Sequence, residues 1–152
     1  DFEQLGAELI LRVFPVDGLD LYANYSIHDT RPRTDENFGG RELDDRTSAH
    51  KVNLGAQYRS PFGLDVAVDL SWVSSQVWVE QILDPAAGGV RFADFELPSY
   101  TVLNARVGYR VPRTGLELAI VGQNLVDEGH REHPFGQPVQ TRLSGWVTYR
   151  LR

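Results

Sequence analysis

Period-two alternation restricts the fold of this chain more than any other feature. From residue 7 to residue 13 the odd positions are Ala7, Leu9, Leu11 and Val13, with Glu8 and Arg12 between them. Beyond an Asp17-Gly18 pair the pattern resumes: Leu19, Leu21, Ala23, Tyr25 and Ile27 oppose Asp20, Tyr22, Asn24, Ser26 and His28. Successive side chains of a strand point to opposite faces, so alternation this strict predicts strands, and Asp-Gly between two of them predicts a tight hairpin.

The same grammar recurs along the chain. Val52, Leu54, Ala56 and Tyr58 oppose Lys51, Asn53, Gln57 and Arg59, and after Ser60-Pro61-Phe62-Gly63 the run Leu64, Val66, Val68, Leu70 and Trp72 opposes Asp65, Asp69 and Ser71. Leu103, Ala105, Val107, Tyr109 and Val111 oppose Asn104, Arg106 and Arg110, and past residues 112–115 Leu116, Leu118 and Ile120 oppose Glu117 and Gln123. Leu143, Val147, Tyr149 and Leu151 close the series against Arg142, Ser144, Thr148, Arg150 and Arg152. This makes seven strands and no convincing helix. Short turns at residues 17–18, 61–63 and 112–115 alternate with long polar connections at 29–49, 76–99 and 127–140. Bacterial outer-membrane barrels are built this way, with short periplasmic turns and long extracellular loops.

A soluble sandwich or barrel also alternates, so the environment of each face has to decide. In a soluble barrel the apolar face fills the centre, which favours large residues interlocking with small ones. Here that face is smooth, mostly Leu, Val and Ala, and carries no Asp, Glu, Lys or Arg across the seven strands. Its aromatics, Tyr25, Tyr58, Trp72 and Tyr109, lie near strand ends, where an interfacial girdle sits. The other face mixes charge signs (Glu8, Arg12, Lys51, Arg59, Asp65, Asp69, Arg106, Glu117), as a wet lumen tolerates. Runs of about nine to eleven residues suit a tilted membrane strand better than a globular one. The expectation is therefore lipid outside, water inside, and Leu11, Leu21, Leu54, Val68 and Val107 exposed together on one face.

Composition narrows the remaining classes. With 21 acidic residues against 15 basic ones and a formal charge of −6, the chain offers no basic face for nucleic acid. The absence of cysteine removes disulfides and thiolate chemistry. Methionine is absent as well, including at position 1, and no signal peptide is visible, so a processed chain or a fragment is expected. Seven strands whose first runs downward from the outside do not make a whole barrel, because such barrels have even strand numbers. They fit the closing seven strands of a larger one. The fold expected is thus all-β, an antiparallel meander of about seven strands, with residues 1–152 forming one C-terminal segment of a transmembrane β-barrel.

Several ordered motifs then acquire a family likeness. Residues 97–110, Leu-Pro-Ser-Tyr-Thr-Val-Leu-Asn-Ala-Arg-Val-Gly-Tyr-Arg, resemble the third-last strand of TonB-dependent outer-membrane receptors. Residues 116–127, with Asn124-Leu125-Val126-Asp127 at their end, resemble the strand after it. Residues 129–136 resemble a His- and Glu-bearing form of the next loop, and residues 142–151 its closing strand, although Leu151 stands where the family usually ends on an aromatic and Arg152 is extra. The likeness is good from about residue 51 onward and looser before. It implies an outer-membrane receptor for a scarce small-molecule ligand such as a siderophore, a cobalamin or a glycan. Its partners would be outer-membrane lipid and, through a plug domain absent from these residues, the TonB complex. The rivals are a passive or structural outer-membrane barrel and a soluble β-barrel binding module.

Candidate chemistry is sparse. His130 and His133, beside Glu128 and Glu132, have a spacing that metal ligands use, but they sit in a loop without a second anchoring motif. They stand as ligand-contact candidates and no metal is assigned. Asp44, Asp45 and Arg46 lack the glycine and distal Glu of a calcium loop. Trp78, Phe92 and Phe95 lie in the connection 76–99, where they contact a ligand or pack the loop, and Trp78 and Phe92 join the histidines as candidates. Asn24, Ser26 and His28 share a strand face, as on any polar lumen strand, and no glycine-flanked serine with a His and an acid is present. No enzyme activity and no cofactor are expected.

Overall fold

The computed structural model describes residues 2–32, 47–86, 88–126 and 129–151. Nine strands run through the described residues, in chain order β1 (Phe2–Val13), β2 (Leu19–Pro32), β3 (His50–Arg59), β4 (Leu64–Val73), β5 (Gln76–Asp84), β6 (Gly89–Leu97), β7 (Tyr100–Arg110), β8 (Leu116–Gln123) and β9 (Arg142–Tyr149). Seven of them form one sheet in the order β1-β2-β3-β4-β7-β8-β9, all neighbours antiparallel. This is the seven-strand meander that the alternation predicts, open at β1 and β9.

The remaining two strands amend the sequence reading. The connection 76–99, expected to be a polar loop, contains the hairpin β5–β6, a separate two-stranded sheet. It carries apolar residues on both faces, with Trp78 and Ile82 on one and Val77, Val79 and Leu83 on the other, so alternation is blurred there. Gly88-Gly89 between two runs rich in β-branched and aromatic residues was the available turn signal.

Register keeps the two faces apart across the whole meander. Leu21, Ala56, Val68 and Ala105 align in one row, and Asn24, Asn53, Ser71 and Val102 in a row on the other face. On the apolar face Tyr25 and Trp72 both flank Val52, while Tyr58 lies six residues further down β3. At roughly 3.3 Å per residue the two aromatic levels are separated by about 20 Å along the strand. Between those levels the apolar side chains have nothing to pack against: Leu9, Leu11, Leu54, Val68, Val107 and Ile120 are all exposed. Leu21 differs from expectation in being half-buried. Among the described residues the buried apolar ones are few (Val79, Ala93, Leu97 and Ala119), and they give the sheet no enclosed core. A contiguous apolar surface of this kind requires a partner that is not water.

The three short turns share one construction. The carbonyls of Gly18, Gly63 and Gly115 accept hydrogen bonds from the backbone N–H of Arg59, Arg110 and Arg150, at 2.8, 2.9 and 3.0 Å. Each turn thereby locks onto the strand beyond its own hairpin. Gly63 shows why glycine is needed there: its φ is 102°, and a Cβ would collide with the Arg110 carbonyl.

On the polar face the strands are tied by side chains. Glu8 accepts from Asn24 Nδ2 at 2.6 Å, and Ser71 Oγ donates to Asn53 Oδ1 at 2.8 Å. The Tyr22 hydroxyl donates to Asp69 across the intervening β3, passing over Gly55, which pairs with Tyr22 on one side and Asp69 on the other. A Cβ at Gly55 would drive into the Tyr22 ring. In the intact protein refolded into lipid vesicles, Gly55→Ala is expected to lower stability by about 1–3 kcal/mol, the usual cost of forcing volume into a filled site. Denaturant titration measures it, and in a Tyr22→Ala background, where the ring is gone, most of that cost is expected to vanish. An undiminished cost in that background contradicts the brace.

Candidate functional site

The candidate residues gather beyond the ends of β4, β7 and β8, opposite the short turns. The hairpin β5–β6 projects there, set on its base by short polar contacts. Ser74 Oγ accepts from the His50 backbone N–H at 3.1 Å, and Ser48 Oγ donates to Gln76 Oε1 at 3.2 Å. Ser48 is buried.

The segment that follows β8 folds back onto this hairpin. His130 and Val139 form a β-bridge, and the Val139 N–H donates to the His130 carbonyl at 2.8 Å. Rings then interlock. His130 stacks on Tyr100 at 4.1 Å and 8°, and His133 meets Trp78 edge-on at 4.7 Å. Phe135 packs on Phe95 at 5.1 Å and lies 5.9 Å from His133. Such pairs contribute about 0.5–1.5 kcal/mol each beyond simple burial. The loop between β8 and β9 is therefore docked on the hairpin and does not stand free in solvent.

Asn124 holds the foot of that loop. It is 2% exposed and adopts a left-handed backbone, φ 52°, which Asn tolerates better than most residues. Its backbone N–H donates to Asn104 Oδ1 at 3.1 Å, and its Nδ2 donates to the Val139 carbonyl at 2.9 Å. Its own carbonyl accepts from Thr141 Oγ1 at 2.7 Å. One residue thus ties the end of β8 to β7 through its backbone N–H and to the bridge partner of His130 through its side chain.

The four sequence candidates take three different positions. Trp78, half-buried, and His133, exposed, touch each other. His130 is buried beneath, stacked on Tyr100 with its Nε2 3.4 Å from Glu132, so it serves the docking of the loop. Phe92 pairs with Gln81 on the opposite hairpin face from Trp78 and Phe95. Asn124, Tyr100 and Phe135 were missed as site residues. Asn124 lay within a recognised motif, but its role depends on where residues 139–141 return, which spacing does not reveal. Asp44, Asp45, Arg46, Asp127, Glu128 and Arg152 lie outside the described residues. Among the described residues no group of three or more His, Asp or Glu is placed to hold a metal ion. Of the strand trio, Asn24 bonds Glu8 and His28 bonds Thr30. The surface left to a ligand is aromatic and imidazole in character, with Trp78, His133 and the 60% exposed Phe135 side by side.

If Asn124 holds the loop, its removal frees the exposed Arg131 to trypsin. In the intact protein in outer membranes, Asn124→Ala is expected to speed cleavage after Arg131 about tenfold, since a lost buried hydrogen bond of roughly 1.4 kcal/mol raises the open population by that factor. Asn124→Gly, which keeps the left-handed backbone but not the donor, should do the same. An unchanged cleavage rate in both contradicts the latch.

The sequence profile of the family described as TonB dependent receptor-like, beta-barrel, matches residues 5–125. No curated protein matches significantly. Among solved structures the chain is similar to the ferripyoverdine receptor of the outer membrane of Pseudomonas aeruginosa bound to ferripyoverdine, with TM-score 0.69 and 15% identity, covering 97% of this chain and 20% of that one. It is similar also to P. aeruginosa FpvA bound to heterologous pyoverdines, with TM-score 0.69, 14% identity and coverage of 97% and 20%. A third is the FpvAI–pyocin S2 complex, with TM-score 0.69, 14% identity and coverage of 97% and 19%. At such identities the structural likeness speaks for the fold alone. The chain spans about a fifth of the solved receptors that it matches.

Proposed function

The chain belongs to the TonB-dependent receptor β-barrel family, and from that premise we propose that it is the C-terminal barrel segment of an outer-membrane receptor that imports a scarce ligand. The family match over residues 5–125 is the observation that carries this reading. The exposed apolar face supports a membrane setting, with outer-membrane lipid as the partner of Leu9, Leu54, Val68 and Val107. Energy would come from the TonB complex through a plug domain elsewhere in the polypeptide. The family match makes binding and transport the role proposed.

An iron–siderophore complex is the ligand class best supported. The solved receptors of like fold include one bound to ferripyoverdine, and the outer surface here offers rings and an imidazole on which aromatic and apolar parts of such a complex could pack. Trp78 and His133 are proposed as contacts, with Phe135 beside them. His130 holds the loop that presents them, and Phe92 serves the other hairpin face.

Uptake decides between this and a passive barrel. Cells lacking and carrying the intact receptor would be supplied with radiolabelled ferric siderophores, cobalamin and oligosaccharides, with and without a protonophore. Saturable, protonophore-sensitive uptake of one ferric siderophore is expected. The double variant Trp78→Ala, His133→Ala should weaken its binding at least about tenfold, or 1.4 kcal/mol. Non-saturable uptake of many small solutes, indifferent to the protonophore, would establish the passive barrel instead.

A further inference from the structure

We propose that the apolar face of β7, β8 and β9 carries a site for one glycerophospholipid with an anionic headgroup. An acyl chain lies over Gly145, and the phosphate sits at the rim of the short turns. The proposal rests on the membrane reading of that face and goes beyond it, since bulk lipid needs no built site.

Glycines mark the place. Three strand glycines of the meander leave gaps that the chain's own side chains fill: Tyr22 over Gly55, Arg106 over Gly108 and, on the apolar face, Leu125 over Gly122. Gly145 differs. A Cβ there would meet nothing nearer than the Ala119 carbonyl at 3.6 Å, and its backbone is not left-handed, so neither crowding nor conformation requires a glycine. Register aligns Val107, Ile120 and Gly145 in one row of the apolar face and Tyr109, Leu118 and Val147 in the next. Those five side chains border a depression of about 430 Å³ and are all exposed. They carry a single polar atom between them, the Tyr109 hydroxyl. A convex wall thus holds an apolar hollow that no described residue of this chain fills.

Depth and charge select the occupant. From Gly145 to Arg150 the chain rises about 16 Å, at roughly 3.3 Å per residue. Strands of such barrels tilt, so the hollow lies within about 15 Å of the short-turn interface, the depth of one leaflet of a roughly 30 Å hydrocarbon core. Tyr109 and Tyr149 stand on the same face towards that interface, where tyrosines meet headgroups. Beyond them a second groove, of about 500 Å³, is lined by Phe62, Val111, Pro112, Arg113, Arg150 and Leu151 among others. The alternation sets Val111 and Leu151 on the apolar side, so this groove brings apolar side chains and guanidiniums together. Arg110, 67% exposed, also lines it and lies over the 24% exposed Glu117, which engages it. Arg113 and Arg150 make no ion pair among the described residues. Arg113 also holds a left-handed backbone, φ 64°, which glycine or asparagine adopts at less cost. An apolar hollow one leaflet deep, with uncompensated guanidiniums at its lower end, fits an acyl chain and an anionic phosphate on one molecule.

The test uses the intact receptor, extracted from outer membranes into mild detergent. It is titrated with phosphatidylglycerol, phosphatidylcholine or soluble glycerol phosphate and read by native mass spectrometry. Retention of one phosphatidylglycerol in preference to phosphatidylcholine is expected, with no retention of glycerol phosphate. Gly145→Leu, which fills the hollow, should weaken that retention at least about tenfold, the loss of roughly two buried methylenes. The double variant Arg113→Gln, Arg150→Gln should abolish the preference for phosphatidylglycerol and leave retention of phosphatidylcholine as it was. Ala56→Leu, on the same face of β3 but outside the hollow, should change nothing. Heat-resistant gel mobility checks that each variant is folded. Should Gly145→Leu fail to assemble, Arg113→Gln alone, at an exposed turn, should still lower retention. Equal retention of the two phospholipids, binding of glycerol phosphate, or a receptor dimer in place of bound lipid overturns the proposal. So does undiminished retention in Gly145→Leu or an unchanged preference in the arginine variants. A receptor that inserts into vesicles yet retains no preferred lipid refutes this site alone, whereas one that does not insert refutes the membrane reading.

Discussion

Backbone hydrogen bonding in a medium that supplies no partners governs this structure. Hydrocarbon offers nothing to an unpaired N–H or C=O, and an open group there costs several kcal/mol, so a chain that crosses by strands must pair each of them with a neighbour. Antiparallel ladders between every adjacent pair of the meander meet that demand for the interior strands. Strand geometry then imposes a period of two on the side chains. Everything legible on the faces, from Leu9 beside Glu8 to Val68 beside Asp69, is what lipid on one side and water on the other would impose. The edges β1 and β9 keep one unpaired row each, which the adjoining wall of a larger barrel would pair.

Where that constraint holds, the sequence was nearly sufficient. β3 and β4 were legible almost to their ends, because each residue sits on a face with a single solvent. β2, in contrast, runs on to Pro32 through residues read as the start of a polar connection, and β7 begins at Tyr100, three residues before the alternation was read. The rule lapses beyond the aromatic levels, and legibility lapses with it. The hairpin β5–β6 is covered by protein on part of both faces, so Val77 and Val79 on one side and Trp78 on the other erase the alternation. The pairing of Trp78 with His133 links residues 55 positions apart through a loop that doubles back. Periodicity carries no information about such contacts, and Asn124, which makes them geometrically feasible, shows in the sequence only as one letter of a motif. Phe92 was selected for its ring, but register, invisible before the hairpin itself was recognised, places it across from Gln81 on the far face.

Small residues and arginines organise the wet side in a way that composition does not disclose. Gly55 exists so that Tyr22 can span three strands, and Gly108 so that Arg106 can lie across to both Asp65 and Glu117. The turn glycines bind the backbone of the final arginines of β3 and β7, and of Arg150 beyond β9, at the short-turn end of the sheet. A chain of formal charge −6 thereby presents a locally positive rim. Net charge argued against a nucleic-acid partner, yet it gave no hint of this local inversion, which follows from which charge lies underneath.

The claim on which all of this depends is that the apolar face meets lipid. The sequence contains no cysteine, so single cysteines placed in turn along β4, Leu64–Val73, can carry a fluorophore in the intact receptor without interference from this segment. Quenching by nitroxide-labelled lipid in reconstituted vesicles reads out the neighbour of each position directly. The account predicts strong quenching at positions 64, 66, 68, 70 and 72 and weak quenching at 65, 67, 69, 71 and 73. Equal quenching of the two sets, or the reverse order, would contradict it.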